Sequence, residues 1–301
     1  MIGAILAVAA AAIAADSSPA SVPKLASPPG HYSLKLNAVQ TPESQTQGLY
    51  CKARIDGGPV LRMLLDSGAQ HVVLDRRSAA KVGRTAGPAI ELVGAGAAST
   101  ACKRTAPARV QIGDLMVENC PILVAEGHIM DGIDGVIPMS LFAGFLLRLN
   151  VPGKVLELDA YPAEPPDPGD GYLGARADNR LFFLRTVLND REAGYVLLDT
   201  GASYNAVSPE AARASRRYWS PADSISLLGS AGGVAGYTLP PGVRFRIGSR
   251  VFSADPAVVV DLSDISRHHR FEITGILGYP ALRNSIVTLD YRDSLVRIEG
   301  K

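Results

Sequence analysis

Cysteine is scarce in this 301-residue chain, and Cys51, Cys102 and Cys120 all fall in its first half. A disulfide would therefore serve that half alone and leave one thiol unpaired; Cys102 and Cys120 are one arrangement among those the spacing leaves open. An excess of charge is also missing: 30 Lys and Arg stand against 29 Asp and Glu, with no long basic run, which removes the electrostatic case for nucleic acid. Long apolar runs are limited to one, "IGAILAVAAAAIA" at 2–14, which is short for a bilayer span. With Ala12-Ile13-Ala14 as a small-x-small cleavage site, residues 1–15 are expected to be a secretory signal peptide, although no Lys or Arg precedes the apolar core. No cysteine follows closely, which argues against a lipid-modified amino terminus. No stable membrane insertion is expected after cleavage.

Glycine and proline, by contrast, are plentiful at 30 and 21 residues, and they imply many turns. Residues 16–45 are rich in Ser and Pro and poor in large apolar side chains, so they are expected to be a flexible leader. A second punctuated stretch, "YPAEPPDPGDGYLGARAD" at 161–178, marks a linker. The segments on either side, 46–160 and 179–301, are of similar length.

Those two segments repeat one another. "VLRMLLDSGAQHVVL" (60–74) answers to "GYVLLDTGASYNAVS" (194–208), with Asp66 and Asp199 separated by 199 − 66 = 133 residues. "ELVGAGA" answers to "SLLGSAGG", "VQIGDLMV" to "FRIGSRVF", "IDGVIPMSLF" to "ITGILGYPAL", and "LLRLNVPGKVLEL" to "IVTLDYRDSLVRI". Five blocks recur in one order while the offset drifts from 133 to 140, so duplication is the economical account.

Each unit reads as mostly β. Runs such as "LYCKARI", "RVQIGDLMV" and "LFFLRTVL" alternate apolar and polar residues between turn signals. Asp56-Gly57 and Asn189-Asp190 stand where a hairpin must turn into the strand that leads to each aspartate. Helical signals are few: Asp75 is a cap for a short helix ended by Gly83, and Ser208-Pro209-Glu210 has the chemistry of a helix start.

A strand that delivers Asp66 into an interior, followed by a hydroxyl residue and glycine, poses the question of what compensates the charge. Asp199 supplies the answer. Two carboxylates side by side cannot both ionise cheaply, so they share a proton; one serves as general base on water while the other polarises a carbonyl. Gly68 and Gly201 permit a tight turn and close approach, and the hydroxyls of Ser67 and Thr200 can reach across to the other unit.

"LLDSGA" and "LLDTGAS", each followed by a Gly-rich segment and then by "GVI" (135–137) or "GILG" (275–278), resemble the retropepsin-like and pepsin-like aspartic proteases over about residues 46–300. The resemblance implies an all-β, bilobal acid protease fold: two homologous β-lobes with short helices, at 46–160 and 179–301. It also implies a cleft with flap hairpins, a peptide or protein substrate, and no metal or organic cofactor. Asp66 and Asp199 match the catalytic dyad, and Ser67, Gly68, Thr200 and Gly201 match its supporting positions. Ala69 and Ala202 are similar to the retroviral form, and one chain with two repeats stands in for the retroviral homodimer, so a monomer is expected. The sequence departs from the pattern at Pro138, where the second unit has Gly278, and neither Gly-rich segment carries a matching flap tyrosine, although Tyr237 lies downstream of the second.

The remaining features have plainer accounts. His71 is expected to be structural because its repeat counterpart is Tyr204; His268-His269, in "DLSDISRHHR", lack metal-site spacing and suggest a solvated loop; Trp219 is expected to finish a helix or loop. The expectation is an exported, periplasmic or secreted, aspartic endopeptidase. The alternatives are a protease-like domain that binds peptides without cleaving them and, less well supported, an actin- or sugar-kinase-like ATPase, whose long helices and phosphate-binding turns the sequence does not offer.

Overall fold

The computed structural model describes residues 4–5, 11–13, 22–28, 30–40, 46–85, 87–93, 99–126, 129–167, 170–229 and 232–300. The expected signal peptide thus lies largely outside the described residues, as do the tips of the two Gly-rich segments, 94–98 and 230–231.

Each half begins with a hairpin that delivers its aspartate. Strands Thr46–Ile55 and Leu61–Asp66 turn through Asp56 (φ 49) and Gly57 (φ 74). Strands Leu181–Leu188 and Arg191–Leu198 turn through Asn189 (φ 44) and Asp190 (φ 65). Left-handed backbone at both central positions gives a turn whose twist matches the strands, and Asp, Asn and Gly adopt it at least cost. A later segment of each half then returns alongside the delivering strand. Gly135–Pro138 runs parallel to Leu61–Asp66, with Pro138 opposite Asp66; Ile273–Leu277 runs parallel to Arg191–Leu198, with Leu277 opposite Leu198. On their other edges these strands pair antiparallel with Val72–Asp75 and Asn205–Val207. From the Gly-rich hairpins through to the pairs Ala108–Ile112/Leu115–Cys120 and Arg244–Ile247/Arg250–Ser253, the strand order in the two lobes is the same.

A third sheet joins the lobes. Leu146–Asn150 pairs antiparallel with Ser285–Asp290, and Arg148 lies opposite Thr288. The repeat equates those two positions (148 + 140 = 288), so equivalent residues face each other, as an approximate two-fold axis requires. One buried cluster runs through this sheet, from Leu61, Met63 and Leu65 to Leu184, Val196 and Leu198.

The expected flexible leader, 16–45, extends too far. Tyr32–Lys35 pairs with 155–158 at the edge of the joining sheet, and Asn37–Gln40 pairs with the start of the first hairpin. Leu34, Leu36 and Val39 are buried, and three apolar side chains spread over two short strands and the residue between them anchor a segment that is otherwise polar. The linker is also tied down: Leu173–Gly174 and Arg176–Asp178 add to the joining sheet and to the second lobe.

Helices are short, and the longest among the described residues is Ser263–His269. Asp75 and Ser208 cap Arg76–Lys81 and Pro209–Ala214 by accepting the backbone N–H of Ser78 and Ala211. Ser263–His269 corrects the expected solvated loop. Ile265 and His269, one helical turn apart, face inward, Asp261 accepts the Ser263 N–H, and Arg270 ends the helix in the left-handed region (φ 59). His269 Nδ1 lies 2.7 Å from Asp178 Oδ2. Trp219 lies in the loop after Pro209–Ala214, partly buried against the core and near Tyr237. Among the described residues, no helix is long and apolar enough to cross a membrane.

All three cysteines are free and buried. Cys102 is opposite Ala125 and Cys120 opposite Ala108, in different clusters, so they are not the cross-strand partners a bridge would need. Burial pushes each thiol up to about 12, which keeps it protonated and unreactive.

Because Leu34 is buried in the main core, Leu34→Ala should cost about 2–4 kcal/mol of folding stability. Denaturant unfolding with an unchanged midpoint would show instead that residues 32–35 do not hold the joining sheet.

Candidate functional site

The two strand ends bring Asp66 and Asp199 together at the junction of the lobes. Their side chains hydrogen-bond each other, and the residues are 3% and 0% exposed. Asp66 Oδ1 accepts the Gly68 N–H at 2.6 Å; Asp199 Oδ1 accepts those of Gly201 and Ala202 at 2.9 and 3.0 Å. The glycines make the approach possible. A Cβ on Gly68 would stand 2.5 Å from Asp199 Cγ, and one on Gly201 would stand 2.5 Å from Asp66 Cγ, so no larger residue fits at either position.

Burial raises the pKa of both carboxyls above the ordinary aspartate range. At Asp199 the negative charge of Asp66 adds to burial, and at Asp66 the contact with Asp199 and the Gly68 N–H act against it. Asp199 Oδ2 is buried and faces no protein donor. Two carboxylate oxygens can bond only if one holds a hydrogen, so the arrangement favours a singly protonated pair.

Beneath the carboxyls, Ser67 and Thr200 exchange four hydrogen bonds between the lobes. The Ser67 hydroxyl donates to Leu198 O at 2.8 Å and accepts the Thr200 N–H at 3.0 Å. The Thr200 hydroxyl donates to Leu65 O at 3.0 Å and accepts the Ser67 N–H at 3.0 Å. Each hydroxyl thus uses donor and acceptor at once on the backbone that carries the opposite carboxyl.

The structure accounts for Pro138. In the second lobe, buried Asn205 accepts the Gly278 N–H at 2.8 Å and donates to Ala254 O at 2.9 Å, so it ties three segments together. Pro138 has no N–H to give, and the repeat counterpart of Asn205 (205 − 133 = 72) is apolar Val72. Donor and acceptor are replaced together, so no polar group is stranded. Asn205 escaped the sequence reading; the paired change of positions 72 and 138 against 205 and 278 was the available signal. His71 is held neutral, burial and nearby Arg104 lowering its pKa to about 4. Among the described residues, no three His, Cys, Asp or Glu side chains gather to hold a metal ion.

Residues 51–141, which include Asp66, match the family model described as "Aspartyl protease". Among solved structures, the chain is similar to an aspartic proteinase from Irpex lacteus, at TM-score 0.54 and 12% identity over 90% of this chain and 98% of that one. None of the curated proteins compared matches the sequence. The family match covers most of the first lobe, the structural likeness spans both, and the fold is that of the pepsin-like aspartic proteinases.

Thr200→Val removes one hydroxyl from the interlobe exchange and strands Leu65 O and the Ser67 N–H, so a loss of about 2–4 kcal/mol is expected. In a double-mutant cycle with Ser67→Ala, the coupling energy should be about 1 kcal/mol or more. Strictly additive losses would mean that the two hydroxyls do not act as one unit.

Proposed function

We propose that the chain is an aspartic endopeptidase, with Asp66 and Asp199 as its catalytic dyad. The observation that carries this reading is the reciprocal burial of two mutually hydrogen-bonded carboxyls, each pressed against the other lobe's motif glycine. The aspartyl protease match and the pepsin-like fold support an aspartic peptidase in the coarser sense. The ATPase alternative lacks support, because the described helices are too short to layer the sheets as those folds do.

In the proposed reaction, ionised Asp66 takes a proton from a water molecule that attacks the substrate's peptide carbonyl carbon. Asp199 gives its proton to the carbonyl oxygen, and a tetrahedral gem-diol forms. Return of a proton to the amide nitrogen then lets the carbon–nitrogen bond break. Ser67, Thr200, Gly68 and Gly201 position the carboxyls. Neither metal nor organic cofactor enters this scheme. Both carboxyls lie in one chain, so the active species is a monomer whose lobes form a pseudo-dimer. The apolar segment 2–14 with its cleavage site supports export to the periplasm or beyond.

Asp66→Asn and Asp199→Asn should each abolish cleavage of a peptide library while the fold is retained. Undiminished turnover by either variant, with contaminating protease excluded, would overturn the dyad; a parent that binds peptides and cleaves none would favour the binding-only alternative.

The pair also predicts a pH dependence of stability. Both folded-state pKa values are raised, so the native state holds a proton that the unfolded chain has released, and stability falls as pH rises from the ordinary aspartate range through the raised values. Asp199→Asn removes one of the two raised carboxyls and should lose less stability than the parent as pH rises from 4 to 7. Parallel melting-temperature profiles would contradict a proton shared by the buried pair.

A further inference from the structure

A hollow of about 550 Å³ opens beside the Asp199 loop, and both halves of the chain line it. Thr46 and Gln47 come from the first hairpin; Ser203, Tyr204, Tyr279 and Arg283 come from the second lobe. Its walls are tied together. Ser203 Oγ donates to Gln47 O at 3.2 Å, and the Tyr279 hydroxyl hydrogen-bonds the Thr46 side chain. Ser203 follows Asp199 by four residues, so the hollow begins within about 14 Å of the carboxyl pair, a span that about four residues of extended peptide cover.

Charge distinguishes this hollow from a larger one, and Arg283 also borders a neighbouring hollow of about 350 Å³ that holds Arg250 and Asp255. The larger one, of about 930 Å³, balances four cationic side chains with four acidic ones. In the hollow beside Asp199, Arg283 is the single charged lining residue. Arg283 is exposed, and it makes no ion pair among the described residues. It follows the short helix Tyr279–Leu282, which packs against the first hairpin and so fixes the base of its side chain. An arginine at the rim of an otherwise neutral, polar hollow offers a planar fork of donors suited to a carboxylate.

We propose that Arg283 is a specificity-determining residue that receives a substrate carboxylate, either an Asp or Glu side chain or a free carboxyl terminus, on the side of the scissile bond where this hollow opens. The inference rests on the assignment of Asp66 and Asp199 as the dyad, since the hollow begins at Ser203 in the Asp199 loop. It names a substrate class: peptides acidic to one side of the cleavage point. Because Arg283 is exposed, the contact is screened by salt, and its expected worth is about a fivefold selection of Glu over Gln at low ionic strength.

The test is a set of peptides carrying Glu, Gln or Lys at each position in turn, with free and amidated carboxyl termini. Each peptide is scored by kcat/KM on the parent protein and by retention on immobilised Asp199→Asn protein, which reads binding without turnover. The parent should prefer Glu over Gln at one position, or the free terminus over the amide, and the two arms separate those sources. The Glu/Gln ratio should fall to about one in Arg283→Gln, survive in Arg283→Lys and turn toward Lys in Arg283→Glu. Equal handling of Glu and Gln and of acid and amide by the parent, or a ratio unchanged in Arg283→Gln, would overturn the proposal. If the parent cleaves nothing yet retention still selects carboxylates through Arg283, the dyad assignment falls and the carboxylate site stands.

Discussion

Everything in this molecule depends on keeping two carboxyl groups in contact away from water. Each would ionise readily in solvent; buried together they favour one proton and one charge, and the price is borne by the structure around them. The exchange between Ser67 and Thr200 meets that demand. It joins the lobes through the backbone on which the carboxyls ride, so any drift of one lobe costs hydrogen bonds in both. Glycine is required on each side for the complementary reason, since a single methyl group would occupy the space of the opposite carboxyl.

The fold can be understood as the means of holding that contact. A hairpin brings each aspartate to a strand end, and a later parallel strand fixes the loop from the other side. The joining sheet, with Arg148 opposite Thr288, closes the lobes on the side of the shared core. Its edge recruits residues 32–35, which explains why a polar segment near the amino terminus is ordered: it covers strand 155–159 and buries Leu34.

Features set by local chemistry were legible in the sequence. The turns at Asp56-Gly57 and Asn189-Asp190, the caps at Asp75 and Ser208, and the pairing of Asp66 with Asp199 follow from backbone preferences or from the repeat. Features set by distant partners were not. Residues 32–40 join sheets whose other strands lie more than a hundred positions away in one case, and composition does not register such neighbours. The helix Ser263–His269 hides because only Ile265 and His269 turn inward, too few to print a periodic pattern among charged residues. The role of Asn205 appears only when the Gly278 backbone is seen beside it.

The two lobes agree most closely where the carboxyls meet and diverge away from them, and a single chain makes that divergence possible. In a homodimer any residue placed at one end of a cleft is repeated at the other, so the site cannot distinguish the two directions of a peptide through its own side chains. Here the repeat counterpart of Arg283 (283 − 140 = 143) is Ala143, and that of Ser203 (203 − 133 = 70) is Gln70. The positive charge therefore stands on one side of the approximate two-fold alone. Burial raises the pKa of both carboxyls, so the pair at the centre remains alike in the chemistry it requires. A symmetric scaffold has thus acquired a polarity at its rim, and the tight exchange between Ser67 and Thr200 lets the periphery vary without loosening the pair.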